Sequence, residues 1–261
     1  MSRNIVYRTD AIARHYGVNR RRWTDLYPSE RWIFDRVAAE RERLGRMLDV
    51  GCAAGGLAEA LTERYSTIDS YTGIDINRNA IEAAHAEISR RPIAEEFIAG
   101  DICNCPALSR RRFDLVTALS VADWNIDAQG ILAACWNHVE EGGYLVASLR
   151  LTPEAGICDI ERSFQYIWFE SSPPPANAER APYNVFNVRD AMTWLAGQEP
   201  KPERIIVYGY WGTPSATART PHARLIFGVI AMSKPVGGQL TGEPLLEMHL
   251  PASALRGDPR S

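Results

Sequence analysis

The chain has 261 residues, of which 46% are hydrophobic and 23% charged, with a formal net charge of −3. That balance suits a globular domain with a sizeable core and gives no general attraction to nucleic acid or to an anionic membrane. No apolar run approaches the roughly 20 residues that span a bilayer, and the opening MSRNIVYRTD lacks the apolar centre of a signal peptide.

In chain order, residues 1–44 read as an N-terminal helical extension rich in Tyr7, Tyr16, Trp23, Tyr27 and Trp32. It either closes over a ligand as a lid or packs a helix on a sheet. "RMLDVG" (46–51) predicts a buried strand, followed by a helix over about 55–65. "YTGIDI" (71–76) is a second strand, and "NRNAIEAAHAEISRR" (77–91) a helix begun by an Asn cap. "EEFIAGD" (95–101) and "FDLVTALSV" (113–121) are the third and fourth strands. A helix over about 128–140 is expected to stop at Gly142-Gly143, before a fifth strand, "YLVASLRL" (144–151). Strands alternating with helices predict a parallel sheet covered on both faces.

The rhythm breaks over 152–185, which holds Pro173-Pro174-Pro175 and several aromatics and reads as an insert over a substrate site. A helix over about 187–197 precedes two strands, "ERIIVYGYW" (203–211) and "ARLIFGVIAM" (223–232), with no helix between them. Such a pair is antiparallel and attaches to the sheet edge. The domain is therefore expected over 45–234, with a loosely held tail over 235–261. The five cysteines, an odd number, suit a reducing cytoplasm. Cys103 and Cys105 form a lone C-x-C with no second pair at ligand spacing, so no metal is expected.

The stretch "LDVGCAAGG" (48–56) carries the first chemical signal. A strand that turns at once into a helix gathers backbone N–H groups and a helix N-terminus at one point, which attracts carboxylates and phosphates. Gly51 permits the tight turn, while Ala53 and Gly55 leave space for a ligand. Asp75, at the end of the second strand, suits ribose hydroxyls.

Together "LDVGCAAGG", "GIDIN", "GDI", "FDLVTALSV" and "EGGYLVASL" resemble the motifs of class I S-adenosylmethionine-dependent methyltransferases, over roughly 45–150. The family pattern D-x-G-C-G-x-G is met by Asp49, Gly51, Cys52 and Gly55, with Ala53 at the middle glycine. The resemblance implies an α/β, doubly wound, mostly parallel seven-stranded sheet with an antiparallel last strand. It implies S-adenosylmethionine as cofactor and S-adenosylhomocysteine as product. On that basis Asp49 holds the amino end of the methionine, and Gly51, Ala53 and Gly55 give it backbone approach. Asp75 binds the ribose with Ile76 against the adenine; Asp101 takes the adenine amino group beside Ile102; Leu119 and Ser120 lie near the sulfonium. Taken singly, Asp75 and Asp101 also suit plain strand ends or helix caps.

Ligands of an open α/β sheet bind beyond the carboxyl ends of its strands. Segments 121–127, 151–185 and 210–224 leave from that edge. A hydroxyl acceptor benefits from a base, and Asp123 and His222 are the candidates there, whereas His85 and His138 fall within helices. Trp124 and Trp168 suit an apolar or sugar-stacking wall, or the core. The aminomethyl branch acting on nucleic-acid bases carries [D/N]-P-P-[Y/F], where this chain has Ala122-Asp123-Trp124-Asn125. The runs Arg20-Arg21-Arg22 and Arg110-Arg111-Arg112 read as solvated charge. The expected reaction is methylation, by in-line transfer, of a small-molecule or glycan-precursor acceptor, with oxygen favoured and no nucleic-acid or membrane partner. An NAD-dependent oxidoreductase is disfavoured because Ala53 replaces the second glycine of G-x-G-x-x-G. A non-catalytic cofactor-fold binding module stays open.

Overall fold

The structure is a computed structural model and describes residues 4, 7, 11, 15, 19–87, 93–170, 172–237 and 242–256. Its helices are α1 (Pro28–Glu40), α2 (Gly56–Arg64), α3 (Arg78–Glu87), α4 (Ala128–Asn137), α5 (Val188–Ala196) and α6 (Ala252–Arg256). The first five strands are β1 (Gly45–Val50), β2 (Ile68–Asp75), β3 (Ala94–Ala99), β4 (Phe113–Ala118) and β5 (Val139–Thr152). The others are β6 (Phe164–Tyr166), β7 (Arg180–Pro182), β8 (Phe186–Asn187), β9 (Arg204–Gly212), β10 (Ala218–Arg219), β11 (Leu225–Ser233) and β12 (Leu245–His249). The main sheet runs β12-β9-β11-β5-β4-β1-β2-β3, with β8 beside the far end of β5. Only β11 opposes its neighbours; the other described pairings of this sheet are parallel.

Two-residue periodicity splits the core between the faces. Leu48, Val116, Leu145, Ala147, Ile205, Val207 and Ile230 face α4 and α5. Met47, Leu115, Val146, Ile206, Val229 and Ala231 face α1, α2 and α3. On that second face Ile33, Phe34 and Val37 of α1 are fully buried, and Trp32 stacks on Tyr208 at 4.8 Å. This part of the N-terminal extension is a layer of the core.

Three expectations need correction. Among the described residues the main sheet has nine strands against the seven expected, because β8 and β12 are added to it. The tail is not simply loose: β12 pairs in parallel with β9, and Ala254 of α6 joins the core cluster. Leu245 and Leu246 stay largely exposed, so β12 lacks the alternation by which a strand is recognised. The helix before β5 closes at Asn137, where His138 N–H bonds back to Cys135 and Trp136. Lys234 then donates to the Trp136 and Val139 carbonyls, leaving Gly142 (φ +70°) to make an irregularity inside β5. The final residues expected in α3, beyond Glu87, lie outside the described residues.

The 152–185 stretch contributes β6 and β7 to a small antiparallel sheet with β10. This pairs the insert with the loop between β9 and β11.

Phe34→Ala should cost about 3–5 kcal/mol, the usual range for truncating a buried aromatic. Urea unfolding that gave less than about 1 kcal/mol would mean that α1 is peripheral to the core.

Candidate active site

The turn after β1 is pinned to the end of β2. Gly51 and Cys52 N–H both donate to the Ile74 carbonyl, at 2.8 and 3.2 Å. Asp75 completes the clamp: Oδ2 accepts from Ala53 N–H at 2.9 Å and Oδ1 from Asn77 N–H at 2.8 Å. Gly51 sits at φ +72°, and a Cβ there would lie 2.4 Å from Val121 Cγ2. Ala53, in the family's glycine position, is also left-handed, at φ +47°. Gly55 starts α2 as a left-handed cap at φ +77°.

A cavity of about 1130 Å³, its open mouth included, lies over this turn. Ten of the eleven expected cofactor residues line it: Asp49, Gly51, Cys52, Ala53, Asp75, Ile76, Asp101, Ile102, Leu119 and Ser120. Gly55 is not among them; Gly56 and Leu57 take that side. Asp49 is buried beneath the turn, accepting from Thr117 Oγ1 at 2.7 Å and Tyr71 OH at 2.6 Å. Burial pushes its carboxyl up to about 6, against those two hydrogen bonds. Burial also raises Asp75, with the Asn77 and Ala53 N–H groups opposing. Asp101 accepts from Cys103 N–H at 3.0 Å, so it does cap a short turn while lining the cavity.

The N-terminal segment supplies groups that no sequence motif marks. Asn4 donates to both oxygens of Asp101, at 3.0 and 3.1 Å. Tyr7 OH donates to the Trp124 carbonyl at 2.8 Å, and both side chains line the cavity. Asn19 and Arg20 line it as well. Arg20 is ion-paired with Glu30, which is fully buried, and its Nη1 lies 3.4 Å from Ser120 Oγ. Its neighbour Arg21 grips Glu59 through two bonds of 2.7 and 3.0 Å. These two arginines are not solvated charge. Arg111, in contrast, pairs with Glu96 at the opposite ends of the strands. Of the extension's other aromatics, Tyr27 lines the second cavity described below, Trp23 and Trp32 pack on their neighbours, and Tyr16 lies outside the described residues.

Ser120, just past β4, sits in a left-handed turn, φ +56°, its N–H donating to Ser148 Oγ at 2.6 Å. Ser120 and Trp124 line both the first cavity and a second one, whose wall includes Glu30, Asp123, Arg150, Gln165, Trp168 and Thr217. Asp123, on the turn Ala122–Trp124, is buried, with Oδ2 3.2 Å from Arg150 Nη1. Arg150 also donates to the Asp123 carbonyl at 2.9 Å and lies over the Tyr183 ring, 3.7 Å from its centroid. Burial raises the Asp123 carboxyl while Arg150 pulls it back. Among the described residues, Asp123 Oδ1, Gln165 Oε1 and Trp124 Nε1 are buried without a hydrogen-bond partner. His222 is also buried, its Nδ1 3.4 Å from Glu154 Oε2, but it lines neither cavity. The structure therefore brings one of the two candidate bases to the site.

Residues 48–147 match the protein family described as "Methyltransferase domain". The chain is 29% identical over 137 residues to the ubiquinone biosynthesis O-methyltransferase of Pseudomonas entomophila, covering 49% of this chain and 53% of the relative. The chain thus spans about half the length of the curated relatives it matches. Its fold is similar to an S-adenosylmethionine-dependent methyltransferase from Clostridium acetobutylicum, with TM-score 0.51, 15% identity, and 87% and 96% of the two chains covered. It is also similar to SAM-bound CalS10, an amino pentose methyltransferase from Micromonospora echinaspora, with TM-score 0.50, 18% identity, and 87% and 98% coverage. At these identities the likeness concerns the fold.

Two measurements bear on the turn and the carboxylate beneath it. Gly51→Ala should cost about 2–4 kcal/mol, from the left-handed backbone and the Val121 clash. Ala53→Gly should change stability by less than about 1 kcal/mol, because relieved strain offsets added unfolded-state entropy. Asp49 binds its proton more tightly folded than unfolded, so its stabilising contribution is present at low pH and lost as pH rises through about 6. Relative to the native protein, Asp49→Asn should gain about 2 kcal/mol between about pH 4 and pH 7. A pH-independent difference in denaturant unfolding would mean that Asp49 is hydrated.

Proposed function

Since the chain belongs to the class I S-adenosylmethionine-dependent methyltransferase family, we propose that it transfers the cofactor's methyl group to an oxygen of a small-molecule or glycan-precursor acceptor. One observation carries this reading: two cavities meet at a wall formed by Ser120 and Trp124, beyond the end of β4. One cavity holds the cofactor and the other the acceptor.

The first cavity fits the cofactor chemically. Three carboxylates (Asp49, Asp75 and Asp101) line it, matching an α-amino group, a ribose diol and an adenine amine. Asn77 Nδ2 is buried there with no partner among the described residues and offers a donor. Arg20 supplies the cation for the methionine carboxylate, next to the N-terminus of α2. When bound, S-adenosylmethionine supplies an electrophilic methyl group on a sulfonium. The chain's own residues position the acceptor and exclude water, which is where most of the rate of an in-line displacement is gained. Asp123 takes the acceptor's proton: it lines the acceptor cavity, and burial raises its affinity for a proton while Arg150 opposes that.

The O-methyltransferase names of the relatives support oxygen as the methylated atom. Five free cysteines, with no described helix long and apolar enough to cross a membrane, are compatible with the reducing cytoplasm that we assign.

The test is calorimetric titration with S-adenosylhomocysteine. The native protein should bind at micromolar concentrations, and Asp75→Ala should weaken binding at least about tenfold, or about 1.4 kcal/mol. A folded native protein that binds none would overturn the reading in favour of a fold reused as a binding module.

A further inference from the structure

The acceptor cavity is not chemically neutral towards its guest. Its described wall carries three carboxylates, Glu30, Asp123 and Glu170, against the single guanidinium of Arg150. Glu30 is satisfied by Arg20 and by the Tyr27 N–H. Arg150 is already committed to both the carboxylate and the carbonyl of Asp123, and it lies against the Tyr183 and Trp124 rings. A carboxylate or phosphate on the guest would therefore find no uncommitted guanidinium in the wall, while the exposed Glu170 adds a negative charge.

Two acceptor atoms in that wall lack donors. Asp123 is 4% exposed and Gln165 6%, yet Asp123 Oδ1 and Gln165 Oε1 have no hydrogen-bond partner among the described residues. A buried oxygen left without a donor costs about 1–3 kcal/mol, so each is an open position for a hydroxyl, amine or ammonium proton. Gln165 is fixed from behind: it lies on β6, paired with Ala181 of β7 on one side and Ala218 of β10 on the other. The insert and the β9–β11 loop together hold this oxygen in the wall. Trp168 and Phe227 add flat apolar surface for a ring.

Resting on the methyltransferase reading above, we propose that the acceptor is a neutral or cationic ring compound that gives one hydrogen bond to Asp123 Oδ1 and another to Gln165 Oε1. Gln165 is thus the residue that selects the acceptor. Anionic acceptors, sugar phosphates among them, are rejected. The donor held by Asp123 belongs to the group that is methylated, whose proton passes to this carboxylate as the O–CH3 bond forms and the S–CH3 bond breaks. The donor held by Gln165 sets the orientation of the ring.

The test uses the full chain saturated with S-adenosylhomocysteine and two matched probe series, titrated calorimetrically. One is catechol, dopamine and 3,4-dihydroxybenzoate; the other is glucose, glucosamine and glucuronate. At least one series should bind, with its neutral or amine member at least about tenfold tighter than its carboxylate member. Gln165→Leu should weaken that member about fivefold or more while leaving S-adenosylhomocysteine affinity unchanged, because Gln165 does not line the cofactor cavity. Gln165→Glu keeps an acceptor oxygen and adds charge, so it should retain the amine member and further exclude the carboxylate. If Gln165→Leu fails to fold, the Gln165→Glu result decides alone. Carboxylate members binding as tightly as their partners, no response to either variant, or no probe binding to the saturated protein would each overturn the proposal alone. Failure of the native chain to bind S-adenosylhomocysteine would overturn the methyltransferase reading, and the proposal with it.

Discussion

The site depends on the clamp between the end of β2 and the turn after β1. Ile74 and Asp75 together take the N–H groups of Gly51, Cys52 and Ala53, so the turn cannot relax without breaking three hydrogen bonds. This holds two non-ideal backbone positions in place, Gly51 and Ala53, both left-handed. A left-handed alanine costs about 1–2 kcal/mol, comparable to one or two of the hydrogen bonds that offset it. Asp75 fastens the turn with one lone pair of each oxygen, and a carboxylate has further lone pairs beyond those two.

Charge is arranged around the cavities in buried or nearly buried pairs. Arg20–Glu30 joins the N-terminal segment to α1, and Arg150–Asp123 joins β5 to the turn after β4. Neither pair is a strong source of net stability, since desolvation offsets most of the attraction. Removing one partner, however, would leave an uncompensated buried charge, so each pair fixes geometry. Their position on both sides of the wall shared by the cavities fits a site that orders reactants more than it reacts with them.

Much of this was legible in the sequence where one face of a strand or helix had to be buried. β1, β2, β4, β9 and β11 announce themselves by apolar runs, and ten of the residues assigned by their motifs do gather at one cavity. Legibility ended where that constraint ended. β12 exposes consecutive leucines on both faces and shows no periodicity, and β6, β7 and β10 are too short to show any. Gly142 could be recognised as a left-handed position, but whether it ended a helix or interrupted a strand depended on Lys234, nearly a hundred residues later.

The sequence by itself determined where the core strands fall along the chain, the acidic ends of β1 and β2, and the turn between β1 and α2. These follow from local spacing and from burial that repeats every two residues. Only the tertiary structure decided that Arg20 faces a cavity while Arg111 lies at the other end of the sheet, and that Asp123 lines the second cavity while His222 does not. Only it brought Gln165 of the insert to the same cavity as Asp123. The physical reason is common to all of these: a polar side chain's role is set by which distant backbone and charges desolvate it, and no local pattern records that distance.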